Sequence, residues 1–165
     1  MRTLAIAAAL CAAGYFGAPA HAQQALRKDF SWEEMRAELI VAGVEVTKDG
    51  VAGDQRYLSA KAKSGLVFAV YGAQCDNKEI TQRCTGADII SSFTLKDPAK
   101  IHDVLDMIDF AALGDYKGDD GRFKVSRYVI FDGGITHENL QSNLEVFLAL
   151  SNQIWDKLDD AELLQ

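Results

Sequence analysis

Proline, cysteine and histidine are all scarce in this chain of 165 residues: two, three and three. So few prolines exclude a proline-rich or collagen-like chain, and a composition 48% hydrophobic and 25% charged is that of one ordinary globular domain. Long apolar runs are missing after the N-terminal segment, so no membrane helix is expected in the body of the chain. Positive charge is outweighed, with 17 Lys and Arg against 24 Asp and Glu and a net charge of −7. Such a surface repels phosphate backbones and anionic lipid headgroups, which disfavours nucleic-acid binding. G-x-S-x-G, G-x-G-x-x-G, G-x-x-x-x-G-K-[ST] and H-E-x-x-H are absent, so no motif announces a hydrolase, a nucleotide site or a zinc protease.

What is present begins with Arg2, an apolar run from Leu4 to Phe16, and Ala20-His21-Ala22. These are the charged, apolar and A-x-A parts of a secretory signal peptide, predicting residues 1–22 as the signal, cleavage after Ala22, and a periplasmic chain with no membrane insertion afterwards. Cys11 follows Leu10 where a lipoprotein signal needs a small residue, so a lipid anchor is not expected. Residues 23–165 are then one domain, large enough for a single core. Export leaves Cys75 and Cys84 as an even pair in an oxidising compartment. Their spacing fits neither C-x-x-C nor a zinc knuckle, and the expected outcome is a disulfide across a polar loop, 76–83, between two neighbouring strands.

Ser31-Trp-Glu-Glu34 is a capping box, Phe30 and Met35 stand at staple positions, and Gly43 ends a first helix at about 32–42. Strands are expected at 44–50, with the turn at Asp49-Gly50, at 56–62, at 65–71 and at 89–95. Asp97-Pro98 opens a second helix at about 98–111; a hairpin pairs a short strand around Tyr116 with 123–131. Thr136 caps a last helix whose stripe is Leu140, Leu144, Phe147, Leu148, Ile154 and Trp155. The expected order is α-β-β-β-β-α-β-β-α, an α+β fold with helices packed on a twisted antiparallel sheet.

Candidates for chemistry are sparse. His102, Asp106 and Asp109 share a helical face but lie opposite its apolar stripe, as a solvated surface does. Asp115–Gly121 fails the EF-hand register, because Asp120 falls where glycine is required. Asp132-Gly133-Gly134 before the last helix could hold an anion, though a sharp turn explains the glycines. Arg127 could bind a carboxylate or snorkel along its strand. Asp132 and His137 are the nearest approach to an acid or base, and nothing supplies a nucleophile, base and orienting group together.

Gly65-Leu-Val-Phe-Ala-Val-Tyr-Gly72, Cys75, Cys84, Asp119-Asp120-Gly121, Tyr128-Val-Ile-Phe-Asp-Gly-Gly134 and Thr136-His-Glu-Asn-Leu140 together resemble exported members of the YbjN family, named as candidate bacterial sensory transduction regulators. The resemblance covers about residues 30–158 and is most specific at 123–148. It implies a fold similar to type III secretion chaperones, with no established enzymatic activity and no catalytic residues or cofactors to carry over. Many members carry Trp-Asn late in the second helix, where this chain has Ile108-Asp109-Phe110. The expectation is a non-enzymatic periplasmic binding or regulatory domain acting through a protein partner or self-association. Two alternatives are an inhibitor of a cell-wall enzyme inserting loop 76–83, and a small hydrolase using Asp132 or His137.

Overall fold

The computed structural model describes residues 25–76, 82–97, 113–117 and 122–165, with backbone alone for 113–117. The expected signal peptide at 1–22, the second helix at 98–111 with His102, Asp106 and Asp109, and the Gly118–Gly121 turn lie outside the described residues.

The chain opens with a two-residue strand β1 (Phe30–Ser31) that runs into helix α1 (Trp32–Val41). The capping box is complete: Ser31 Oγ accepts from the Glu34 N–H, and Glu34 accepts from the Ser31 N–H at 2.7 Å. Phe30 and Met35 are both buried at the staple positions. Gly43, at φ +73°, stops the helix just past its C-cap, where a side chain would be strained.

A long antiparallel meander follows: β2 (Glu45–Ala52), β3 (Gln55–Lys61), β4 (Val67–Cys75) and β5 (Arg83–Thr94). The hairpin β6 (Leu113–Lys117) and β7 (Arg122–Ile130) joins it, giving the spatial order β2-β3-β4-β5-β7-β6, with β1 against the start of β5. Helix α2 (His137–Asp160) closes the fold, capped by the Thr136 side chain as expected. The architecture is thus α+β, with two helices on one curled antiparallel sheet among the described residues.

Strand alternation divides the sheet into two faces. Phe68 and Val70 of β4, Ile89 and Phe93 of β5, and Val125 and Val129 of β7 are buried beneath the helices, against Met35 and Leu39 of α1 and Leu144 and Phe147 of α2. The Phe68 and Phe147 rings meet at 5.5 Å. The other face carries Tyr57, Tyr71, Asp88 and Tyr128.

Two sequence expectations need correction. The β2–β3 turn lies at Gly53, with φ +66°, and not at Asp49-Gly50. Gly50 is inside β2 because the Tyr57 ring from β3 lies where its side chain would be: a Cβ there would fall 2.9 Å from the ring. Asp49 is held in the strand by Arg56, through bonds of 3.0 and 2.8 Å. Trp155, expected in the stripe of α2, is 42% exposed and meets the Phe93 ring at the flank of the core, while Ser151 and Leu158 take the inward positions. Neighbouring helical residues point about 100° apart, so Ile154 and Trp155 cannot both face the sheet.

Candidate functional site

The antiparallel register lines up residues from five strands across the outer face. Gly50 pairs with Tyr57, Tyr57 with Tyr71, Tyr71 with Asp88, and Asp88 with Tyr128. Directly opposed residues on one face of a sheet have Cβ atoms only about 5 Å apart, so this row is a line of adjacent side chains. The Tyr57 and Tyr71 rings are 5.4 Å apart. Tyr128 lies flat along β5, and a Cβ at Gly86 would run into its hydroxyl, so glycine is what lets the ring settle there. Tyr71, Asp88 and Tyr128 line a groove of about 440 Å³ that extends along β5 and β7 to Ile90, Ser92 and Lys124. The volume falls within the range of small-molecule sites.

Asp88 is the unusual member of the row. Its carboxylate is half-buried, and among the described residues no hydrogen bond or ion pair reaches it; burial pushes its pKa above the ordinary aspartate value. Sequence reasoning passed over it, although an aspartate at the centre of Gly86-Ala-Asp-Ile-Ile90 is a signal, since strands are depleted in Asp.

A second polar cluster ties α1 to α2. Glu38 is buried, its side chain only 4% exposed, and it receives Arg27 Nη1 at 2.6 Å, His137 Nδ1 at 2.8 Å and Gln141 Nε2 at 2.6 Å. A buried carboxylate behind an imidazole is how a general base is oriented. Among the described residues, however, no hydroxyl or thiol makes a hydrogen bond to His137, and Asp132 is exposed in its turn and makes no hydrogen bond or ion pair with His137. The cluster therefore fastens the N-terminal segment and the two helices together, an assignment reinforced by the backbone bridge between Arg27 and Ile135. Glu38 was also missed in the sequence; it lies three residues after Met35, on the inward side of the helix.

The remaining sequence candidates are placed as follows. The Cys75 and Cys84 sulfurs stand at disulfide distance, on directly opposed residues of β4 and β5. Gln74, with φ +50°, breaks the alternation just before Cys75. Gly72 makes room for the sulfurs: a Cβ there would sit 2.6 Å from both and 2.8 Å from the Trp32 ring. Gly72→Ala should therefore cost about 1–3 kcal/mol through overpacking, read from the shift of the urea midpoint at unchanged slope. Arg127 donates from Nε to Asn143 Oδ1 of α2 at 2.8 Å, which turns it toward the helix. Gly133 and Gly134, at φ +85° and +98°, make the strand-to-helix turn, and a Cβ on Gly134 would fall 2.9 Å from Leu26.

Of loop 76–83, the described ends are fastened. The Asp76 N–H donates to the Arg83 carbonyl at 2.9 Å, Arg83 N–H to Asp76 Oδ1 at 3.0 Å, and Trp32 Nε1 to Gln82 Oε1 at 3.0 Å. Arg83 also clamps Asp29 at 2.7 Å and Glu34 at 3.0 Å, tying the loop base to the start of α1.

Helices on one face of a curled antiparallel sheet, with the other face carrying a groove, define an α+β domain of the YbjN-like fold. YbjN from E. coli, described as a candidate transcription regulator, superposes with a TM-score of 0.54 at 12% identity, over 86% of this chain and 99% of that one. An uncharacterized protein from Methanothermobacter thermautotrophicus superposes with a TM-score of 0.56 at 10% identity, over 79% of this chain and 99% of that one. No family model and no curated protein matches the chain. Likeness at such identities establishes the fold; function has to come from the site.

Proposed function

We propose that this chain is an exported, periplasmic binding or regulatory domain of the YbjN type, acting through protein contacts made by its sheet and not by catalysis. The observation that carries this reading is the outer face of the sheet: it holds a polar groove lined by Asp88, Tyr71 and Tyr128, and beside it Val67 and Ile130 are 57% and 60% exposed. Apolar side chains around a polar groove are the usual make-up of a recognition surface. Location in an oxidising compartment is supported by the sulfur pair at disulfide distance and by the signal-like N-terminus. No helix among the described residues is long and apolar enough to cross a membrane.

A tagged full-length chain expressed in its native host tests both parts. Intact mass of the periplasmic form should show a chain beginning at Gln23; full-length protein retained in the cytoplasm would count against export. One partner, or a second copy of the chain, should be retained by the wild type and lost from the Val67→Arg, Ile130→Arg double variant, whose exposed positions leave stability within about 0.5 kcal/mol per substitution. Equal retention by both would remove the outer face as the contact surface.

The inhibitor reading keeps one specific support. The ends of loop 76–83 are fixed by the sulfur pair and by the bonds of Asp76, Gln82 and Arg83, and a segment whose ends are held in advance loses less entropy on binding. Inhibition of a cell-wall hydrolase by the purified domain would favour it.

A further inference from the structure

We infer that the outer-face groove is a binding site for an organic ammonium cation, held at Asp88 between Tyr71 and Tyr128. The inference rests on the reading of this face as a recognition surface and adds the chemistry it recognises. A carboxylate taken partly out of water normally finds a cation or several N–H donors, because burying charge without a partner is costly. Asp88 has neither among the described residues. The groove's own cations do not supply one. Lys124 lies four residues from Tyr128 along β7, about 13 Å at the rise of a strand, and Arg122 lies further still.

The neighbours of Asp88 decide which kind of cation fits. Tyr71 and Tyr128 stand directly opposite it on the two adjoining strands, and Tyr57 extends the aromatic row beyond Tyr71. Tyrosine faces attract large, weakly hydrated cations through the ring quadrupole, and aromatic residues beside a carboxylate are the arrangement that recognises alkylated ammonium groups. A hard metal ion would need several oxygen ligands, and a single carboxylate offers too few. At the end of the row, Lys48 Nζ lies 5.7 Å from the Tyr57 ring centre, within cation–π range.

Calorimetric titration of the mature protein with tetramethylammonium, spermidine and a short neutral peptide carrying one lysine tests this directly. At least one of the three should bind, and Asp88→Asn should weaken that binding at least about tenfold, as expected for loss of the negative charge that faces the cation. Tyr71→Leu, which leaves the carboxylate in place, should weaken it several-fold. Preference for the lysine peptide identifies a protein side chain as the natural source, and preference for either free amine identifies a small molecule. Thermal melts of both variants certify the fold, and Asp88→Asn should melt no lower than the wild type, because it removes an unpartnered half-buried charge. Absence of binding by all three probes, or equal affinity in Asp88→Asn, overturns the inference. If partner retention by the outer face survives that result, the recognition surface stands and only its ammonium chemistry falls.

Discussion

Phe147→Ala should destabilise the domain by about 3–5 kcal/mol, the largest effect expected of any single substitution here. Phe147 is 1% exposed, on the inward face of α2, and its ring packs on Phe68 of β4 with Leu144 beside it at 0%. Truncation removes the transfer energy of a phenyl group and leaves a cavity that the sheet beneath cannot close, since β4 is hydrogen-bonded on both sides. The loss is a sizeable part of the 5–15 kcal/mol that holds a typical domain together. Urea unfolding at two protein concentrations measures it. The midpoint should fall equally at both, because a side chain buried within one chain contributes without reference to a second copy. A change below about 1 kcal/mol would place Phe147 at the surface, and a concentration-dependent change would place it in a contact between subunits.

The burial of Phe147 was legible because helical periodicity is local and long helices display it repeatedly. The same holds for Ser31 and Thr136, whose caps need only a side chain and an amide three residues on. The misread turn takes its meaning from another strand. Asp49-Gly50 has the composition of a turn, and only the arrival of Tyr57 and Arg56 from β3 makes it strand. The two-residue β1 is too short for any pattern and exists because Phe30 and Ser31 meet Cys84 and Arg83.

The candidate site was less legible than the fold for the same physical reason. Tyr57, Tyr71, Asp88 and Tyr128 are spread over 72 positions of sequence, and nothing local to any of them announces the others. They become one row only when the register of four strands is fixed, and a slip of one residue in β5 would send Asp88 into the core and Ile89 out. That register is set by the buried side, where Ile89 and Phe93 must meet the helices. The exposed row is thus positioned by packing on the opposite face. Glu38 follows the same logic: its burial depends on Gln141 and His137, about a hundred residues away.

Replacing both Cys75 and Cys84 by alanine should lower stability by about 2–3 kcal/mol, the chain-entropy value for a bridge closing so short a loop. The loss follows if the two sulfurs, at disulfide distance on opposed residues of β4 and β5, are bonded in the native protein. Two structural features decide whether the full amount appears. Cys84 is 0% exposed, beneath Trp32 and against Gly72, so alanine there also removes a buried sulfur and adds a small packing cost. In the other direction, the bonds between Asp76 and Arg83 and the Arg83 clamp on Asp29 and Glu34 hold the loop base without the sulfurs, and they should keep the native register when the cysteines are gone. The double variant should therefore fold with unchanged circular dichroism and unfold at lower urea. Wild-type protein treated with a thiol reductant should show most of the same shift, since reduction removes the cross-link and leaves the sulfur atoms in place. Alkylation supplies the independent check: native, unreduced protein should take up no iodoacetamide. Two modified cysteines in that sample, or coincident unfolding of oxidised and reduced wild type, would show that the pair is not bridged and that the base of loop 76–83 is held by Arg83 and Asp76 alone.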